Sequence, residues 1–99
     1  MTFVTTQPEI MAAAAGQLTG IGTELNAHNA VALVPTTSVT PAAADEVSAL
    51  TAAQFASHGA VYQAVCAHAA AVHELFVATL GASADSYAAT EAANAGSAI

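Results

Sequence analysis

What this chain of 99 residues lacks narrows its function at once. It has no lysine, no arginine and no tryptophan, a single cysteine, and an aromatic content of only 5%. Seven acidic residues against no strong cation give a formal net charge of −7. Such a chain cannot neutralise phosphates, which excludes nucleic-acid binding and a polybasic membrane anchor. Cys66 alone can form no internal disulfide, so the fold must rest on packing. The opening Met1-Thr2-Phe3-Val4-Thr5-Thr6-Gln7-Pro8 has neither a basic region nor an apolar stretch after it, and no classical signal peptide is expected. The longest run free of Asp and Glu, Val47 to His73, is long enough to cross a bilayer. It carries Gln54, His58, Gln63, His68 and His73 among weakly apolar alanines, and no transmembrane segment is expected.

What is present is apolar but small. Hydrophobic residues make up 56% of the chain, yet many are alanines, which bury little area each, so the core this chain can build alone is marginal. The pattern predicts two helices around one turn. The first, about 8–32, starts at Pro8, whose missing N–H has no intrahelical partner in a first turn. Thr6 and Glu9 read as a capping box, and Glu9 suits the helix dipole. Met11, Ala14, Leu18, Ile21, Leu25, His28 and Ala32 form one apolar seam at three- and four-residue steps. Gly16, Gly20 and Gly22 either permit close helix approach or weaken this helix, at about 1 kcal/mol each.

Val34-Pro35-Thr36-Thr37-Ser38-Val39-Thr40-Pro41 reads as the turn, with the loop at about 33–40. Thr40 is then the expected N-cap and Pro41 the first residue of a second helix over about 41–82, with Asp45 and Glu46 in its second turn. That helix of some 40 residues would be roughly 60 Å long at about 1.5 Å per residue. The fold class is therefore all-α, an antiparallel two-helix hairpin over 1–85, followed by a tail over 86–99 that is expected to fray.

On a helical wheel Val47, Leu50, Gln54, Val61, Val65, His68, Val72 and Leu75 make one stripe of the second helix. Phe55, Tyr62, Cys66, Ala69, His73, Phe76 and Leu80 make another about 100° round. Ala52, Ala56, Ala60, Gln63, Ala67, Glu74 and Asp85 occupy the remaining face. A first helix with one seam can cover only one of the two stripes. The other would expose a line of large apolar side chains that soluble monomers seldom tolerate, so the hairpin is expected to be half of a larger bundle, with a second copy or a different chain as the other half. Repulsion between unpaired acidic groups nudges the choice toward a different chain.

Pro8-Glu9, and after the turn the block Thr40-Pro41-Ala42-Ala43-Ala44-Asp45-Glu46-Val47-Ser48-Ala49-Leu50-Thr51-Ala52-Ala53-Gln54-Phe55, resemble the mycobacterial PE family, named for its Pro-Glu pair. The resemblance covers essentially the whole chain. Tyr87-Ala88-Ala89-Thr90-Glu91 resembles the tyrosine-x-x-x-acidic signal that such proteins carry for type VII (ESX) secretion. The resemblance implies a hairpin that pairs lengthwise with a PPE protein into an elongated heterodimeric four-helix bundle. It also implies an EspG-type chaperone that grips the PPE subunit, and joint export of the folded pair to the cell surface, the envelope or the medium. Tyr87 and Glu91 would be the secretion signal. The partner interface would involve Leu18, Ile21 and Leu25 of the first helix and Leu50, Phe55, Val61, Tyr62, Val65, Val72, Phe76 and Leu80 of the second. Relatives usually have an alanine where this chain has Gly59, which predicts a tight contact or slight bend there.

Chemistry is set aside on geometry. Cys66 and His73 share a face, but His68 projects from the neighbouring stripe and Glu74 from the opposite one, so no tetrahedral metal site is expected. A two-helix rod offers no concavity for a Cys-His hydrolase. No cofactor and no enzymatic activity are expected. The two live readings are a PE subunit obligately paired with a PPE protein and a self-associating helical protein of the cell envelope.

Overall fold

A computed structural model describes residues 4–98. It is an all-helical hairpin of α1, Pro8–Thr37, and α2, Glu46–Ser97, joined by a short irregular loop, with no strand among the described residues. Two compact units make up the chain. One pairs the beginning of α1, up to Gly22, with α2 from His73 onward; the other is the continuous stretch Thr23–Val72.

The first helix begins at Pro8 as expected, with the Gln7 carbonyl accepting the N–H groups of Ile10 and Met11 at 3.1 and 3.2 Å. The capping box does not form, because the Thr6 hydroxyl turns away to Glu91. At its other end α1 runs past the expected boundary and carries Pro35 inside its last turn. Proline there deprives only the carbonyl one turn back, at Val31, and Val31 is exposed, so water can replace the lost partner. Three bonds close that turn: Thr36 Oγ1 donates to the Ala32 carbonyl at 2.7 Å, Thr37 Oγ1 to the Leu33 carbonyl at 2.6 Å, and Ser38 N to the Val34 carbonyl at 2.8 Å. The threonines that looked like turn formers lie inside the last turn of the helix and bond back onto it.

Helix α2 starts at Glu46 rather than Pro41. Asp45, not Thr40, caps it: its carboxylate accepts the Ser48 backbone N–H at 3.1 Å and the Ser48 hydroxyl at 2.7 Å. The Ser48 bonds hold the Asp45 carboxyl below its ordinary 3.8, the side-chain bond more than the backbone one. The helix then continues to Ser97, through Gly81 and through the segment expected to fray. Alanine-rich composition sustains it, since alanine is the best helix former and Gly81 costs only about 1 kcal/mol.

The line of α2 turned toward α1 combines the inner edge of one apolar stripe with small residues beside it. Ala52, Ala56, Gly59, Gln63, Cys66, Ala70, His73, Val77, Leu80 and Ala84 are buried or half-buried along it; Cys66, His73 and Leu80 belong to the stripe of Phe55, and Ala52, Ala56 and Gln63 to the face left over. Their facing partners on α1 are Pro8, Met11, Ala15, Leu18, Gly22, Asn29, Ala32 and Thr36. Both sets advance by alternating three- and four-residue steps, except for one step of seven from Gly22 to Asn29 on α1, the spacing of helices that meet along a narrow seam. The expectation that α1 would cover one of the two apolar stripes is met only at Cys66, His73 and Leu80, while Phe55, Tyr62 and Phe76 of that stripe stay exposed; the placing of Ile21, Leu25 and His28 on the α1 seam is corrected, since all three are exposed. The physical reason is closeness: Ala15, Gly22 and Ala32 on α1 and Ala52, Ala56, Gly59, Ala70 and Ala84 on α2 let the backbones approach further than Val or Phe would at those places.

Close approach is visible in each unit. In the Thr23–Val72 unit, Gly59 is buried against the Thr36 carbonyl, and a Cβ there would overlap that oxygen. Gln63 Nε2 donates to Thr36 Oγ1 at 3.2 Å beside it. In the other unit His73 Nε2 lies 2.6 Å from the Leu18 carbonyl, with its ring over Gly22, where a Cβ would stand 2.8 Å from the ring. Of the three α1 glycines only Gly22 serves packing, since a Cβ on Gly16 or Gly20 would meet nothing.

Candidate functional site

Among the described residues no large side chain of the hairpin is fully buried. The buried apolar residues among those described are Ala15, Ala52 and Ala84. One apolar stripe of α2 is left outside, and so are the aromatic residues of the other. Val47, Leu50, Val61, Val65, Val72 and Leu75 are exposed, and so are the aromatic positions of the other stripe, with Phe55 at 63% and Phe76 at 55%. Apolar side chains spaced this way down one helix are the usual mark of a surface that another element covers.

Phe55, Tyr62 and Phe76 lie directly beside the seam on one flank of α2, and Val65 and Val72 follow them outward. The opposite flank carries Ala53, Ala60 and Ala67, together with Glu74. In the Thr23–Val72 unit the apolar flank therefore consists of Phe55, Tyr62, Val65 and Val72, with Leu25 of α1 exposed beside the seam. In the other unit Phe76 and Leu75 are exposed on α2 and Ile21 on α1. Leu18 and Leu80, also expected at the interface, are half-buried on the seam between the helices. Tyr62 and Cys66 sit one turn apart, and the hydrogen bond between their side chains, followed by their charge interaction, raises the Tyr62 phenol above its ordinary 10.0.

An 18-residue window of α2 reaches a mean hydropathy of 1.4 with none of it buried, long and apolar enough by itself to cross a membrane. The same helix carries Gln63 and His73 on its seam and Glu74, Asp85 and Glu91 further along. Cys66, His68, His73 and Glu74 do not converge: Cys66 and His73 lie on the seam, while His68 and Glu74 are exposed. No group of three or more His, Cys, Asp or Glu that could hold a metal ion occurs among the described residues.

Tyr87 and Glu91 are one turn apart on the same side of α2, well inside the helix rather than in a loose tail. Tyr87 is exposed. Glu91 is half-buried, and its Oε1 accepts two bonds from Thr6, one from the backbone N–H at 2.9 Å and one from the hydroxyl at 3.0 Å. Pro8 lies half-buried at the start of α1 with Glu9 exposed beside it. The residue that sequence reasoning missed is Thr6, which it spent on a cap; a contact across 85 positions leaves no local signal.

Comparison with known proteins places the chain. The PE family model matches residues 4–94. The chain is 62% identical over 98 residues to the PE family protein PE13 of Mycobacterium tuberculosis, covering 99% of both chains. It is 52% identical over 98 residues to the PE family protein PE8 of the same organism, covering 99% of this chain and 36% of that one. It is 57% identical over 95 residues to the PE-PGRS family protein PE_PGRS33, covering 96% of this chain and 20% of that one. The hairpin is thus similar to nearly the whole of one relative and to about a third and a fifth of the others. With a family match across its helices and a relative of the same length at 62% identity, the chain belongs to the PE family.

Proposed function

We propose that this protein is the non-enzymatic PE half of a PE/PPE heterodimer. Its exposed α2 surface would pack against the helices of a PPE-family protein, and the folded pair would leave the cell through a type VII (ESX) secretion system. One observation carries the reading: among the described residues α1 and α2 bury only three alanines and Gly59, while Phe55, Tyr62, Val65, Val72 and Phe76 remain outside. A second pair of helices laid on that flank supplies the missing core of a four-helix bundle. The partner carries the contacts to an EspG-type chaperone, and Tyr87 with Glu91 is the export signal of the assembled pair. Its destination is the cell surface, the envelope or the medium. A protein partner fits better than a bilayer because Gln54, His58, Gln63, His68 and His73, inside the apolar stretch of α2, are costly in hydrocarbon.

The test is expression of the chain alone and together with a PPE-family protein, followed by size-exclusion chromatography with light scattering and by circular dichroism. A soluble helical one-to-one complex that needs the partner supports the proposal. A stable helical homodimer of the single chain would replace it with the self-associating reading, and partition of the single chain into detergent or lipid would replace it with a membrane one.

A further inference from the structure

We infer that Thr6 is a positioning residue of the export signal, so that the signal is built from two segments far apart in sequence, Thr6 before α1 and Tyr87 with Glu91 on α2. The inference rests on the proposed reading of Tyr87 and Glu91. Beyond Ala84, Glu91 is the one half-buried residue of α2 among those described; positions 85–90 and 92–98 are exposed. An exposed helix end with no packed face is marginal in water, because tertiary packing supplies most of a helix's stability. What holds this end is the Thr6 clasp, whose two donors converge on a single oxygen of Glu91 at 2.9 and 3.0 Å. Hydrogen bonds to an ionised carboxylate are stronger than neutral ones. The segment that supplies them continues along the same end of α2: Val4 and Thr5 line a groove of about 440 Å³ with Glu91, Asn94, Ala95, Ser97 and Ala98.

The consequence concerns presentation. Tyr87 and Glu91 point the same way only while the backbone between them is helical. With the clasp formed, Tyr87 stands exposed on an ordered turn and the Glu91 carboxylate is fixed in direction. With it broken, the end of α2 loses its packed contact and the two side chains lose their common face. A receptor that reads both therefore reads a helix that Thr6 keeps in place.

Three variants of the full chain test this. Thr6→Pro removes both donors at a position outside any helix, Thr6→Val removes only the hydroxyl, and Thr6→Ser keeps both. Each is expressed with an epitope tag in a mycobacterium with active type VII secretion, and the amount in culture filtrate is compared with that in cells. Amide hydrogen exchange is followed on the same full chains as purified. The expected result is at least a tenfold loss of export for Thr6→Pro, a smaller loss for Thr6→Val and none for Thr6→Ser. Exchange protection should vanish over residues 88–97 in Thr6→Pro while residues 52–80 stay protected. Tyr87→Ala separates the two claims. Export of Thr6→Pro at the normal level while Tyr87→Ala stays in the cell overturns the role of Thr6 and leaves the signal standing. Normal export of Tyr87→Ala overturns the signal itself and the inference built on it. Unchanged protection over 88–97 in Thr6→Pro overturns the clasp, whatever export does.

Discussion

Gly59 and Thr36 are in backbone-to-backbone contact: the glycine is buried, and the Thr36 carbonyl occupies the space that a side chain at position 59 would need. The end of α1 and the first half of α2 are therefore as close as two helices can be at that level, and the Gln63 amide locks the same threonine from the next turn.

Gly59→Ala should consequently destabilise the hairpin even though alanine is the better helix former. The propensity gain of about 1 kcal/mol is outweighed by an overlap with backbone that cannot move aside, a class of change that costs about 1–3 kcal/mol. Gly16→Ala and Gly20→Ala, where the added methyl meets nothing, should raise the melting temperature instead. Thermal melts followed at 222 nm decide it, and a stabilised Gly59→Ala would refute the close approach.

His73 and Gly22 form a similar but softer pair. An alanine at position 22 meets the far edge of the imidazole, which can rotate, so the ring is expected to leave the Leu18 carbonyl rather than the helices to part. Loss of that bond is worth about 0.5–1.5 kcal/mol. Imidazole nitrogen chemical shifts of His73 should become those of a solvated ring in Gly22→Ala; unaltered shifts would mean that the bond survives.

Asp45 ties the start of α2 to pH. Its folded carboxyl titrates below the ordinary 3.8 because the Ser48 hydroxyl and N–H bond to the ionised form. A depressed folded value means that the stabilisation is present above about pH 3.8 and is lost as the pH falls through the lower folded value. Asp45→Asn keeps a capping oxygen without a titrating proton. Melts between pH 5 and pH 2 should show a steeper acid loss for the natural chain than for Asp45→Asn, and parallel curves would remove Asp45 from the account.

The exposed flank of α2 predicts which substitutions separate the proposed pair. Phe55→Asp or Phe76→Asp places an unpaired carboxylate in an apolar contact, at a cost of several kcal/mol once buried. Co-purification with the PPE partner should be lost. Ala67→Asp, on the opposite flank, should still co-purify. Equal behaviour of the three variants would move the interface elsewhere.

Much of this was legible in the residues themselves. Pro8 marks the start of α1, and two helices flank an irregular segment near the prolines, although Pro35 itself lies inside α1; Gly59 within a long helix predicts a tight contact or a slight bend, and a contact forms there. These are local properties of backbone and side chain, and local properties survive in a linear string. The boundaries were less legible. Thr36 and Thr37 are ordinary turn residues until their hydroxyls find the carbonyls of the turn before them, and Thr40-Pro41 reads as a helix start until Asp45 proves the better cap.

The chain by itself determined two long helices, an unbalanced acidic charge and more apolar surface than a hairpin can hide. Only the tertiary structure decided which line of α2 meets α1. Hydrophobic periodicity ranks faces by how much they gain from burial, whereas two helices choose their seam by how near their backbones can come, and here a line with five alanines and glycines among its ten residues wins over the phenylalanines. The contact between Thr6 and Glu91 has the same origin: it exists because an antiparallel hairpin returns the end of one helix to the start of the other.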